Sequence, residues 1–444
     1  MDTLVQIAQL LLMLSILVIL HEFGHYITAK MFKVRVEKFY LFMDAGFSLF
    51  KKKIGETVWG IGWLPLGGYV KLSGMIDESM DTEQMKADPQ PWEFRAKPAW
   101  QRLIIMLGGI IVNVILAWLI YTVVYSTYGK KYVATEQIQK QGLSFGHTGE
   151  TVGFRDGDKI LSVDGKFQER FDRLVLDVLL GDNVVVERGG RQVDVNLSDE
   201  DKKAILDNEG KNFISPRLTG TSVDSIFPKS NAEKAGLQVG DKILGVNNRN
   251  FTYFDEVSNE LSANKGKAVT LQILRNGQPQ TVNANVTPEG TLGFAFQAAD
   301  QENFLVTEKY NIFSAIPQAI DESYSLIVYN IKQFKLILRP STGAYQHVKS
   351  PIGIARALPT EWNWEFFWKF TALFSIGLAF MNILPIPGLD GGHALFTIAE
   401  MVTGRRLGDK AASTVQTIGM IILLSLMALT FGKDIYQIIA DKFF

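Results

Sequence analysis

His21 and His25 stand four residues apart with Glu22 between them, in the stretch His21-Glu22-Phe23-Gly24-His25. On a helix that spacing puts both imidazoles on one face, one turn apart, where they can grip a single metal ion. Glu22 is then placed to take a proton from an attacking water. The motif ends an uncharged run, Leu4 to Leu20. Ionisable groups are expensive in such surroundings and mark functional sites. A catalytic zinc takes three protein ligands and leaves one position open. The chain has no cysteine. Disulfides, thiolate zinc sites and cysteine nucleophiles are therefore excluded, and the third ligand is His, Asp or Glu. Asp390 is the only carboxylate between Phe370 and Ala399, within Pro385-Ile386-Pro387-Gly388-Leu389-Asp390-Gly391-Gly392-His393. These prolines and glycines break a helix, and broken backbone at membrane depth occurs only where protein or a cavity surrounds it. His393 is the alternative ligand.

Helices long enough to cross a membrane must position these groups. A span needs about 20 apolar residues, and segments 4–27, 103–124, 370–389 and 411–431 qualify. With their flanks they set spans at 1–30, 98–128, 366–390 and 411–432. Met1-Asp2-Thr3 lacks the basic start of a cleaved leader, so the first segment reads as a span. The stretch from Lys30 through Lys97 holds eleven Lys or Arg, and Arg405, Arg406 and Lys410 lie between the last two segments. Both regions read as cytoplasmic, which puts the termini and the long insert outside. Trp118, Tyr121, Tyr125 and Tyr128, and then Trp362, Trp364, Phe366, Phe367 and Trp368, mark the outer interface. The two chemical clusters then share one depth near the cytoplasmic side, although His25 and Asp390 are 365 residues apart. The 444 residues are enough for two to four domains. A net charge of −1 offers no general field for nucleic acid.

Three motifs together resemble the site-2 family of intramembrane zinc metalloproteases. They are the His21 to His25 stretch, the run from Asn382 through Pro385 and Pro387 to Leu389-Asp390-Gly391-Gly392, and Gly109 with Asn113. The resemblance implies Zn2+ held by His21, His25 and Asp390, Glu22 as general base, and Asn382 steadying the substrate or oxyanion. Small residues spaced like Gly109 and Asn113 read by themselves as helix packing. The resemblance also implies a bacterial inner-membrane protein of the envelope stress response. Its substrates would be single-span membrane proteins of the anti-sigma-factor type, and remnant signal peptides, cut after a first cleavage outside.

The cytoplasmic region, 31–97, holds apolar residues Trp63, Leu64, Leu66, Tyr69, Val70 and Leu72 around Gly67-Gly68. This pattern suggests a hairpin or looped strands at about 55–75, dipping into the membrane surface. The resemblance implies a membrane-reentrant β-loop in which Gly67, Gly68, Tyr69 and Val70 pair with an extended substrate. An exposed strand edge offers the ladder partners for that. Residues 73–91 read as a polar, acidic connector.

The insert contains a repeat. Gly157-Asp158-Lys159-Ile160-Leu161 recurs as Gly240-Asp241-Lys242-Ile243-Leu244, 83 residues on. Two tandem domains follow, at 130–215 and 216–299. The second resembles bacterial PDZ domains, with Leu292, Gly293 and Phe294 in the loop and strand that receive a peptide carboxylate. The first, at Gly149 to Phe154, lacks the alanine-glycine-leucine signature that the second carries at Ala235-Gly236-Leu237. Residues 309–360 carry apolar groups at helical spacing and read as amphipathic membrane-surface helices, broken at Ser350-Pro351. The expected fold is a polytopic α-helical membrane protein with four transmembrane helices and a membrane-associated β-loop. Two β-rich PDZ-like domains are inserted between helices two and three. The expected function is intramembrane proteolysis. The alternative is a non-catalytic scaffold whose PDZ domains capture protein tails and whose metal is structural. Glu22 beside the ligands favours the enzyme.

Overall fold

The computed structural model describes residues 2–443 apart from 66, 76–87, 209, 211–212, 218–220, 297–303, 349, 357 and 407. Leu66, most of the expected connector at 73–91, and the expected domain end at 299 lie outside the described residues. The chain divides into two compact units. One comprises Met1–Gly129, Lys309–Lys332 and Val348–Phe444, and the other Lys130–Glu308 and Gln333–His347.

In the first unit, helix α1 (Asp2–Met31) runs unbroken through the histidine motif. A four-stranded sheet follows, built from β1 (Val36–Leu41), β2 (Met43–Ile54), β3 (Thr57–Leu64) and β4 (Tyr69–Leu72). Its order is β2-β3-β1-β4, with β1 parallel to β3 and antiparallel to β4. The sheet therefore starts about twenty residues before the expected 55–75 loop. The charged Lys51-Lys52-Lys53 run hid β2 from a hydrophobic pattern search. Helix α2 (Ala99–Tyr128) comes next.

The second unit begins with β5 (Lys130–Val133), α3 (Thr135–Ile138), β6 (Leu143–Ser144) and α4 (Gly146–Thr151). It continues through β7 (Lys159–Val163), α5 (Phe171–Leu180), β8 (Asn183–Arg188), β9 (Arg191–Asn196), α6 (Asp199–Asp207) and β10 (Ser215–Pro216). Next come β11 (Val223–Ile226), α7 (Asn231–Lys234), β12 (Lys242–Val246), β13 (Arg249–Asn250) and α8 (Phe254–Ala263). Strands β14 (Ala268–Arg275), β15 (Gln278–Asn285), β16 (Phe294–Phe296) and β17 (Leu305–Glu308) complete it. Two separate hydrophobic cores form, one around Phe145, Phe154, Leu174 and Phe213, the other around Ile243, Val257, Leu271 and Leu292. The repeated Gly-Asp has one physical role in both. Asp158 takes a bidentate bond from Arg188, whose guanidinium also donates to the Gly153 carbonyl. Asp241 does the same with Arg275 and Gly236. Arg275 also holds the Asp241 carboxyl below its ordinary range.

The chain then follows α9 (Ile312–Ile337), α10 (Pro351–Arg356), α11 (Trp364–Ile383), α12 (Asp390–Thr403) and α13 (Asp409–Phe443). Pro351 opens α10 instead of merely ending a helix. Its missing N–H costs nothing at a first helical position. Among the described residues, three helices are long and apolar enough to cross a membrane: Thr3–Met31, Ala99–Tyr128 and Trp364–Ile383. The fourth expected segment, 411–432, lies in α13, where the apolar stretch is the shorter Thr414–Thr430. The expected third span, 366–390, is not one helix. It stops at Ile383 because Leu384 precedes a proline and turns extended, with φ −61° and ψ 141°. Asp390 starts a new helix, α12, in what was expected to be a loop.

Candidate metal centre

Helix α1 carries His21 and His25 toward α2, and the close approach of the two helices needs glycine on both. A Cβ at Gly24 would lie 2.3 Å from the Gly108 carbonyl oxygen. At Gly109 a Cβ would lie 2.6 Å from both His21 Cε1 and His25 Nε2. Gly109 therefore makes room for the imidazoles, while Gly24 and Gly108 do the packing. The polar residues earlier on α1 are also anchored. Gln6 and Gln9 donate to the carbonyls of Leu358 and Pro359, at 2.6 and 2.9 Å.

Asp390 arrives from the other end of the sequence. Pro385 and Pro387 prevent helix from continuing, and Gly388 takes φ +95° to reverse the chain. Gly391 and Gly392 let α12 begin hard against that loop. Their Cβ atoms would lie 2.2 Å from the Leu384 carbonyl and 2.7 Å from that of Ile386. The far end of α12 is tied to α2, where Arg102 Nη2 stands 2.5 Å from Glu400 Oε1.

The three side chains meet. Asp390 Oδ2 is 3.2 Å from His21 Nε2 and 3.2 Å from His25 Nε2, and the two nitrogens are 3.4 Å apart. Ligand atoms about 2.0–2.1 Å from one tetrahedral zinc stand about 3.3–3.4 Å apart, so the triangle is the size of one face of its coordination shell. Asp390 Oδ2 is buried and makes no hydrogen bond, an arrangement suited to a cation. The ring nitrogen away from the triangle is bonded in each histidine. His25 Nδ1 lies 2.8 Å from the Ile105 carbonyl, and His21 Nδ1 lies 3.1 Å from Asn113 Nδ2. Among the described residues this is the one group of metal-ligating side chains that converges, and His393 is not in it.

The remaining expected residues divide. Asn382 Nδ2 is 3.3 Å from His21 Nε2, at the edge of the triangle. The Val70 backbone N–H bonds the Glu22 carboxylate. A Cβ at Gly68 would lie 3.2 Å from Glu22 Cγ. Tyr69 points elsewhere, stacking on Tyr40 at 5.2 Å and donating to Asp44 Oδ1 at 2.9 Å. Gly67, with φ +153°, lies just ahead of β4. Leu292, Gly293 and Phe294 belong to the other unit. Leu292 is in its core, Gly293 has φ +85° with its carbonyl bonded by Phe227 N–H, and Phe294 pairs with Ile226. Sequence reasoning did not single out Gly24, Gly108, Ile105 or Arg102. The two glycines were legible as a small-residue pair, but the Ile105 contribution is a backbone carbonyl and leaves no side-chain signal.

The family model "Peptidase family M50" matches residues 9–426. The chain belongs to peptidase family M50. Curated relatives agree along the whole length. The regulator of sigma-E protease RseP of Escherichia coli is 27% identical over 459 positions, covering 96% of this chain and 98% of its own. Protease RseP of Yersinia pestis is 28% identical over 470 positions, covering 98% and 99%. A Neisseria meningitidis protein named as a candidate zinc metalloprotease is 29% identical over 453 positions, covering 96% and 97%. This M50 peptidase is accordingly a zinc metalloprotease with membrane-spanning helices.

Proposed function

We propose that this M50 peptidase is an intramembrane zinc endopeptidase of the bacterial inner membrane. Its substrates are the transmembrane segments of single-span proteins, those of the anti-sigma-factor type and remnant signal peptides among them, after a first cut outside. The observation that carries the reading is the triangle of His21, His25 and Asp390, sized for zinc, with both histidines on a helix long and apolar enough to cross a membrane. The names of the relatives supply the link to sigma-E control. Basic residues between Lys30 and Lys97 support a cytoplasmic sheet, with both termini and the insert outside and α13 as the fourth span.

In this proposal His21, His25 and Asp390 are the ligands. Bound zinc supplies Lewis acidity, polarising the scissile carbonyl and bringing the pKa of water to about 7. Glu22 takes the proton from the attacking water and passes it to the leaving amine. Asn382 offers an amide N–H2 to the substrate or the oxyanion. Strand β4 is an edge strand and its Val70 touches Glu22, so a strand added along β4 would run past the base. The substrate helix must unwind first, because helical carbonyls are engaged in their own hydrogen bonds. The two domains at 130–215 and 216–299 act as PDZ-like filters that obstruct bulky outer portions, with Leu292, Gly293 and Phe294 able to receive a new carboxyl terminus.

The test is cleavage of a model transmembrane protein, with and without its outer domain, by purified full-length enzyme. Zinc near one per chain, inhibition by chelator, and faster cutting of the trimmed form are expected. Glu22→Gln should abolish cleavage while zinc stays bound. Loss of zinc in that variant would show Glu22 to be a ligand, and equal cutting of both substrate forms would remove the filter.

A further inference from the structure

One face of α2 backs the whole triangle. Arg102, Ile105, Gly109 and Asn113 follow one another at intervals of three, four and four residues and so share a side of the helix. Arg102 pairs with Glu400, Ile105 bonds His25, and Gly109 clears both rings. Asn113 completes the series at His21. It is fully buried, and the Ser375 hydroxyl donates to its backbone carbonyl at 2.7 Å, fixing α2 to α11 at this level. Its side-chain Nδ2 faces His21 Nδ1, and its Oδ1 is buried without a partner.

That amide orientation suits only one imidazole tautomer. Nδ2 can donate to Nδ1 only when the ring proton sits on Nε2, where it points into the triangle toward Asp390. A ring that offers its Nε2 lone pair to a metal carries its proton on Nδ1. An Nδ1–H facing an N–H2 is a clash of two donors. Half a turn of the amide exchanges Oδ1 and Nδ2 and removes the clash, and the two atoms are assigned from their hydrogen bonds in any case. His25 needs no such adjustment, since the Ile105 carbonyl is always an acceptor.

We infer that Asn113 is the positioning residue for His21, presenting Oδ1 to Nδ1–H when the triangle holds metal. Acceptors behind metal-bound histidines are typically worth about 10–100-fold in metal affinity. The inference rests on the ligand set proposed above.

Its test is zinc affinity of the full-length protein by chelator competition, with 15N spectra of the histidines. Asn113→Leu removes the acceptor and should weaken zinc by about 10–100-fold. Asn113→Asp keeps an acceptor and should bind at least as tightly as the native protein. The Nδ1 of His21 should carry its proton in the zinc-loaded native protein. Native affinity in Asn113→Leu, or equal losses in both variants, overturns the inference. So does an unprotonated His21 Nδ1 in the zinc-loaded native protein, a measurement that needs no variant to fold. A native protein that binds no zinc would instead defeat the ligand set itself.

Discussion

Gly24 and Gly108 bring the backbones of α1 and α2 into contact, and the position of both histidines depends on it. A methyl at Gly24 would stand 2.3 Å from the Gly108 carbonyl oxygen, and the atom it meets is backbone that cannot step aside. Gly24→Ala should therefore push the helices apart, at a cost of about 1–3 kcal/mol. A lower melting temperature and weaker zinc binding are expected together. Native zinc affinity in this variant would mean that the crossing is looser than described.

Asp390 is held from two directions, by the triangle at the start of α12 and by Arg102–Glu400 near its end. Asp390→Asn should weaken zinc directly, whereas His393→Ala should leave it in place. Glu400→Gln leaves Arg102 buried and unpaired, which costs about 3–5 kcal/mol when a buried pair is broken. It should lower the melting temperature, and exchanging the two residues should restore part of the loss. If His393→Ala proves to strip the metal, the third ligand is His393.

Val70 contributes through its backbone. Val70→Pro removes the N–H that bonds Glu22, whereas Val70→Ala retains it. Proteolysis by the proline variant should fall toward the loss of about 10²–10⁴ expected when a general base is misplaced. Zinc content should not change. Equal turnover by both variants would leave β4 a structural strand.

Asp255, at the start of α8, is outside the membrane segments and sensitive to pH. Burial pushes its carboxyl up to about 6, against the pull of the Arg217 guanidinium. In the unfolded chain the group titrates near its ordinary value of about 3.9. The folded state therefore resists ionisation, and stability around α8 should fall as pH rises from about 4 through about 6. Hydrogen exchange of 254–263 in the intact protein, corrected for intrinsic rates, should show protection declining across that window. Asp255→Asn should flatten the decline. A native protein with constant protection would refute the assignment.

Much of the chemistry was legible in the linear chain because local spacing carries it. Two histidines four apart on an apolar helix must share a face, and a proline pair followed by Gly-Leu-Asp-Gly-Gly must break a helix and turn. The absence of cysteine narrowed the third ligand to a few residues. The repeated Gly-Asp was visible as a repeat, though its reason, an arginine 30 or 34 residues later, was not. Other features were beyond reach of periodicity. Strand β2 is masked by its lysines, and α12 follows a turn that read as the start of a loop. Which of Asp390 and His393 faces the histidines is a question of helix phase after a break, and one residue of slip would change the answer. Val70 N–H and the Ile105 carbonyl act through backbone, which every residue possesses, so no residue type announces them. Amino-acid identity and local spacing determined which groups can bind metal and move protons. Only the crossing of α1, α2 and α12, fixed by the Gly24–Gly108 contact and by the Arg102–Glu400 pair 298 residues apart in sequence, decided that these groups meet within 3.4 Å of one another.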